Sequence, residues 1–463
     1  MRRLAAIAAG QLTAAASRAT RLGGGTTLPG RVAMALAPGI ITEVAGELSQ
    51  GVVLISGTNG KTTTARLLGG ILDAGGLVAI HNRAGANLLS GIASSLVEHA
   101  APIGPVRGDV GLFEVDEGTL PAAVEATRPR ALILLNLFRD QLDRYGEIDL
   151  IADRWRRALG ALAENAMLVY NADDPLVADV GRTFAGRSLT FGLQEAPEGS
   201  RAPQSPEHAA DSRYCYRCGR PFEYALVTLG HMGHYRCERC GTGRPAPDVR
   251  AHGIRLHGAD GSTLSLTYRE QTLSISTVLP GLYNVYDITA AAAGALALDV
   301  ATETIGRGIM ATAPAFGRGE HVTIDGRDAL LLLAKNPAGF NEVLRTVLMA
   351  EEAPVVLIAI NDLIADGRDI SWLWDVDFEM LRDRARSVVV TGLRAEDMAL
   401  RLKYAGVEGS RVTIERDGAR ALQTARSQLK NGERLYILPT YTAMLRLRAL
   451  LERKGYVRGF WKQ

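Results

Sequence analysis

The chain has 463 residues, too many for one hydrophobic core, so two or three domains are expected. A formal charge of +2 with 22% charged residues leaves no excess of cations to displace counterions from a nucleic acid, and 47% hydrophobic residues exclude a largely disordered chain. No apolar run reaches the roughly 20 residues that a membrane-spanning helix needs.

Residues 1–45 read as a helical segment. Its alanine-rich start, after Arg2 and Arg3, is interrupted at Gln11, Thr13, Ser17 and Arg18. That pattern suits an amphipathic helix better than a signal peptide. From about 51 to 192 the pattern alternates strand, turn and helix. The near-continuous apolar strands at 51–56, 110–115, 131–136 and 166–170 predict a parallel sheet buried on both faces. A Pro-rich linker follows at 195–212, then a cysteine module at 213–243. The alternating stretch at 250–278 predicts antiparallel strands, and a helix is expected after Pro280 and Gly281. A second α/β unit follows from about 321, with strands predicted at 329–333, 355–360, 387–391, 411–415 and 435–438. The expected domains are 1–45, 46–320 with the cysteine insertion, and 321–463. No short-period repeat is present.

Between the first strand and its helix lies Gly57-Thr58-Asn59-Gly60-Lys61-Thr62-Thr63. Backbone N–H groups and the helix N-terminus there favour phosphate. Lys61 is suited to the β- and γ-phosphates of ATP and the Thr62 hydroxyl to Mg²⁺. A plain glycine turn with an exposed lysine is the alternative, although strand, loop and helix stand in the required order. Ile55 occupies the place of the first glycine in the longer phosphate-loop pattern.

Cys215 and Cys218, then Cys237 and Cys240, form two Cys-x-x-Cys pairs, each followed by glycine. Four thiolates at this spacing suit a closed tetrahedral zinc site with a structural role, on the order of 10 kcal/mol to a small module. A redox pair is the rival, and His231 or His234 could replace a ligand. Cysteines committed to metal, without a convincing export signal, point to the cytoplasm.

The short phosphate loop resembles that of the Mur ligase family and of folylpolyglutamate synthases. Further matches follow in order. Glu114 resembles the family's metal-binding glutamate. Residues 136–146 resemble its Asp-His-Leu-Asp-Arg-His-Gly segment, with Gln141 where the metal-binding histidine stands. Asn284 resembles the adenine contact, Arg318 and Glu320 the Gly-Arg-x-Glu turn, and Asp173 a ribose-side residue. The carbamylated lysine of typical Mur ligases has no counterpart, because no lysine lies between Lys61 and Lys335.

The last unit carries Lys335-Asn336-Pro337, then Asp362, Asp366 and Asp369, with Trp372 and Trp374 nearby. These resemble the MurT branch of the family. The resemblance implies an ATP-dependent ligase that amidates the D-glutamate α-carboxylate of lipid II. Lys61 and Glu114 would serve the phosphoryl transfer. Ammonia would come from a GatD-type glutaminase in a heterodimer, whose triad Asp369 would complete, with Asp362 and Asp366 as alternatives. The substrate would bring the protein to the inner membrane face. Independently, all four cysteines sit in the two pairs, leaving none as a glutaminase nucleophile. Two other readings are a Mur- or folate-type ligase adding an amino acid, and an ATP-switched zinc-ribbon binding protein.

Overall fold

The computed structural model describes residues 1–20, 26–82, 85–101, 104–140, 148–199, 210–314 and 317–457. Gln141, and with it most of the 136–146 segment, lies outside them. The chain opens with three helices, α1 (Arg2–Thr20), α2 (Leu28–Leu36) and α3 (Ile40–Ala45). It then alternates through β1 (Val52–Ser56), α4 (Lys61–Ala74), β2 (Ala79–His81), α5 (Leu89–His99), β3 (Val110–Val115), α6 (Leu120–Thr127), β4 (Ala131–Leu134), α7 (Ile148–Gly160), β5 (Met167–Asn171), α8 (Pro175–Gly181) and β6 (Arg187–Leu193).

The hairpin β7 (Glu223–Leu229) and β8 (Met232–Arg236) stands apart as a two-stranded sheet. Three strands, β9 (Val249–Leu256), β10 (Ser262–Tyr268) and β11 (Gln271–Thr277), then complete a nine-stranded sheet in the order β11-β10-β9-β6-β5-β4-β1-β3-β2. Strands from β2 through β9 pair in parallel, and β10 and β11 run antiparallel at one edge. Because β1, β3 and β4 are buried throughout, both faces need cover. One apolar cluster joins the sheet to α1–α3 and α5–α8, and another joins its opposite face to α4 and to α9 (Leu282–Ala297), which follows β11.

After α10 (Thr302–Ala311) the second sheet begins with the antiparallel pair β12 (Arg318–Ile324) and β13 (Arg327–Leu332). It continues through α11 (Pro337–Ala350), β14 (Val355–Ala359), β15 (Ser387–Thr391), α12 (Ala395–Tyr404), β16 (Val412–Ile414), α13 (Gly418–Ser427), β17 (Leu435–Pro439) and α14 (Tyr441–Arg453). The order is β12-β13-β17-β14-β15-β16, parallel from β13 onward. The loop after β1 leaves the first sheet where the connections diverge to β3 on one side and β4 on the other. That is where open α/β sheets place their ligands.

Candidate active site between the two sheets

The phosphate loop is shaped by a backbone that only glycine tolerates easily. Gly60 has φ +88°, and a Cβ there would stand 2.0 Å from an Asp287 carboxylate oxygen on α9. Thr58 N–H donates to the Asn136 carbonyl at 2.9 Å. Asn59 and Asn136 exchange two further bonds, Asn59 N–H to Oδ1 at 2.9 Å and Asn136 Nδ2 to the Asn59 carbonyl at 3.1 Å. These bonds tie the loop to the chain leaving β4.

Lys61 is buried, donates to the Gly57 carbonyl, and lies 3.2 Å from Glu117 Oε2, just beyond β3. Thr62 donates to Glu114 Oε2 at 2.8 Å. The backbone of Glu114 is held in turn by both ends of the Asn82 amide, at 2.8 and 2.9 Å. Burial pushes the Glu114 carboxyl above its usual range, against the opposing Thr62 hydrogen bond and the Arg318 and Lys61 charges. A buried carboxyl beside a threonine hydroxyl is a donor set that suits a hard divalent cation.

The second sheet supplies the opposite wall. Lys335, after β13, pairs with Asp140 from the chain following β4. Burial alone would lower the Lys335 pKa, but Asp140 and Glu117 outweigh it and raise it. Asn336 caps α11 through Gly339 N–H at 2.9 Å, and its Nδ2 donates to Asn59 Oδ1, also at 2.9 Å. The second sheet thus grips the tip of the phosphate loop. Between them lies a cleft whose walls include Asn59, Gly60, Tyr283, Asp287, Arg318 and Glu342.

One buried group beside the cleft is left open for a ligand. Asn284 follows the cleft-lining Tyr283 but is not itself in the wall; it is fully buried and donates to the Pro280 carbonyl at 2.7 Å, while its Oδ1 has no partner among the described residues. An acceptor left open in a buried site suits the amino group of a purine. Asp287 is held almost neutral, its pKa pushed to about 8 by burial despite the Arg318 charge. Asp173, expected on the ribose side, is already engaged within the chain. It is fully buried, with one carboxylate oxygen 2.6 Å from Arg244 Nε and the other accepting from Tyr286 at 2.7 Å and Leu193 N–H at 2.8 Å. It reaches the cleft only through Tyr286.

The three acidic candidates after β14 differ in their surroundings. Asp362 takes two bonds from Arg394, at 2.9 and 2.6 Å. Asp366 is buried and accepts from the Thr442 N–H at 2.8 Å and from its hydroxyl. Asp369 is exposed and, among the described residues, accepts from Ser371, two positions on, at 2.8 and 2.9 Å.

In the cysteine module, the four Sγ atoms lie within 4.8 Å of one another, with Cys218 and Cys237 3.4 Å apart and Cys215 and Cys240 3.5 Å apart. Sulfurs around a tetrahedral zinc stand about 3.8 Å apart, given bonds of about 2.3 Å. Gly219 and Gly241, with φ +70° and +73°, close the two knuckles by donating to the Cys215 and Cys237 carbonyls. Neither histidine joins the cluster. His231 is buried 3.3 Å from Asp174, and His234 Nε2 lies 2.8 Å from the Leu193 carbonyl.

Comparison with known proteins bears on both sheets. The Mur ligase middle domain pattern matches residues 55–238, and the MurT ligase C-terminal pattern matches residues 333–444. The lipid II isoglutaminyl synthase (glutamine-hydrolyzing) subunit MurT of Staphylococcus aureus strain COL is 33% identical over 446 residues, covering 96% of each chain. The chain belongs to the MurT family. The Streptococcus pneumoniae member is 31% identical, covering 95% of each chain. The MurF ligase of Thermotoga maritima, solved in complex with ADP, shares the fold with a TM-score of 0.66 at 13% identity, over 91% of this chain and 84% of its own. Membership makes the protein a Mur-type ligase, with the phosphate loop in the middle domain and the Lys335–Asn336 wall in the MurT-type domain.

Proposed function

We propose that this protein amidates the D-glutamate α-carboxylate of lipid II to D-isoglutamine, using ATP and ammonia delivered by a GatD-type glutaminase subunit. The observation that carries the reading is the convergence of Lys61 and Lys335, from the two sheets, on Glu117, beside the Thr62–Glu114 pair and the Asn336–Asn59 bond. A carboxylate oxygen attacks the γ-phosphorus of ATP, giving an acyl phosphate and ADP. Ammonia then attacks the acyl carbon, phosphate leaves with the bonding electrons, and the amide nitrogen loses a proton. Charge neutralisation dominates the first step. Lys61 supplies it from the loop and Lys335 from the opposite wall, while Thr62 and Glu114 would hold Mg²⁺, which spreads the phosphate charge.

Ammonia must come from elsewhere, since every cysteine lies in the four-sulfur cluster. Asp369 is the acidic residue best suited to complete a partner's triad, because Asp362 and Asp366 are bound by Arg394 and Thr442. The cysteines would hold one structural zinc, so metal analysis is expected to return one equivalent per chain.

Incubating the protein with ATP, lipid II and ammonium chloride and following ADP release tests the reaction. Ammonium-dependent release with formation of an uncharged amide supports it. Release that requires an amino acid instead would make the protein an ordinary Mur- or folate-type ligase, and turnover indifferent to the lipid-linked carboxylate would make ATP a switch.

A further inference from the structure

The first 42 residues contain five arginines and no aspartate or glutamate, in a chain with 50 acidic residues. α1 is correspondingly two-sided. Ala6, Ile7, Gly10 and Ala14 are buried, with Gly10 so close to α5 that a Cβ would stand 2.6 Å from Val97 Cγ1. The side turned to water carries Leu4, Ala5, Ala8, Leu12, Ala15 and Ala16, all exposed, Leu12 by 71%. At 100° per residue these six fall within one arc of about 120°, bordered by Arg2 on one edge and Arg18 on the other.

A surface helix that has already buried one apolar face ordinarily turns a polar face to solvent. Here the second face is apolar too. α2, packed along α1, adds the exposed Leu28 and Leu36 and the exposed Arg31. Arg18 is paired with Glu98 at 3.0 Å and remains half-exposed, and Arg3 is paired with Glu47.

We propose that the outward face of α1, with the exposed leucines of α2 in the same acid-free segment, docks on an anionic phospholipid surface. An apolar arc flanked by arginines and free of carboxylates is complementary to such a surface in both hydrophobicity and charge. No described helix is long and apolar enough to cross a membrane, so α1 lies in the plane of the headgroups, with Leu4 and Leu12 toward the acyl chains. The argument rests on this face alone and not on the substrate assigned above.

The test is co-sedimentation of the full chain with vesicles of phosphatidylcholine containing about 30% phosphatidylglycerol, and with phosphatidylcholine alone. Sedimentation is expected with the anionic vesicles, about fivefold less with neutral ones, and about fivefold less for the double variant Leu4→Asp/Leu12→Asp. Both positions face water, so the variant is expected to keep the wild-type melting temperature. A second variant, Leu12→Trp, should shift its fluorescence to the blue on adding anionic vesicles. Equal sedimentation of wild type and double variant, no sedimentation of either, or an unshifted Trp spectrum overturns the proposal. So does a wild-type dimer in sedimentation equilibrium that the double variant dissolves, since a second copy would then cover the face. The vesicles contain no lipid-linked substrate, so failure here leaves the proposed reaction untouched.

Discussion

Two loops leave the carboxyl ends of buried parallel strands in this molecule, one after β1 and one after β14, and they are finished in opposite ways. In the β1 loop the polar groups are answered within the chain: Lys61 by Glu117, the Thr62 hydroxyl by Glu114 on β3, and the tip by Asn336 from the far sheet. The β14 loop answers Asp362 and Asp366 internally but leaves Asp369 exposed, with Ser371 as its hydrogen-bond donor. A loop closed on itself can position a small charged ligand without help. A loop that ties down two carboxylates and exposes a third is what the proposed sharing of Asp369 with a partner subunit would use.

Asp369→Asn should separate the two loops most sharply. In complex with the glutaminase subunit, glutamine-dependent amidation is expected to fall about 10³-fold or more, by analogy with loss of the aspartate from a hydrolytic triad. Ammonium-dependent ADP release should stay within about twofold. A parallel fall with both nitrogen donors would mean that Asp369 serves the ligase itself. Lys61→Ala should do the reverse, lowering ammonium-dependent ADP release by about 10²- to 10³-fold, as removal of one preorganised charge at a transferring group does. Glutamine hydrolysis by the complex should persist. Lys335→Ala tests the wall across the cleft. A loss of about tenfold is expected, because the charge is removed while the loop's own lysine remains. Unchanged kinetics would reduce the Lys335–Asp140 pair to a structural tie.

The closed loop was the more legible in sequence, but only where it is local. Gly57 to Thr63 are consecutive, so spacing alone suggested the phosphate site, and the glycines after each cysteine pair announced the knuckles in the same way. The predicted strands of the second sheet coincide closely with β13 to β17, since each is a short apolar run. β2, β6 and β12 went unread, as did the β7–β8 hairpin within the cysteine module. Glu117, Asp287 and the Lys335–Asp140 pair also escaped notice as site residues. Their partners lie 56, 223 and 195 positions away, and only the tertiary fold brings them together. The same distance effect hid the partners of Asp173, whose local segment suggested a nucleotide contact and whose carboxylate is held by Arg244, from the loop before β9, and Tyr286 on α9. Among Asp362, Asp366 and Asp369 the resemblance favoured Asp369 by motif position, with no contact to account for the choice. What distinguishes them is Arg394 and Thr442.

A last effect, read in stability and not in rate, concerns the closed loop itself. Asp287 has a folded-state pKa raised to about 8 from the ordinary aspartate value, chiefly by burial. Below about pH 4 both folded and unfolded states carry its proton, so its contribution to stability is fully present. Between about pH 4 and 8 the folded state keeps a proton that the unfolded state has lost, so stability falls as pH rises, by at most about 1.4 kcal/mol per unit. Above about pH 8 the decline from this group ends. Glu114, also raised by burial, adds a slope of the same sign. Asp287→Asn removes one titrating group and keeps its size, so the melting temperature of the variant relative to wild type should climb as the buffer moves from pH 5 to pH 8. A difference that stays flat across that range would show that the Gly60–Asp287 contact is already solvated, and that the phosphate loop is less tightly closed than its hydrogen bonds imply.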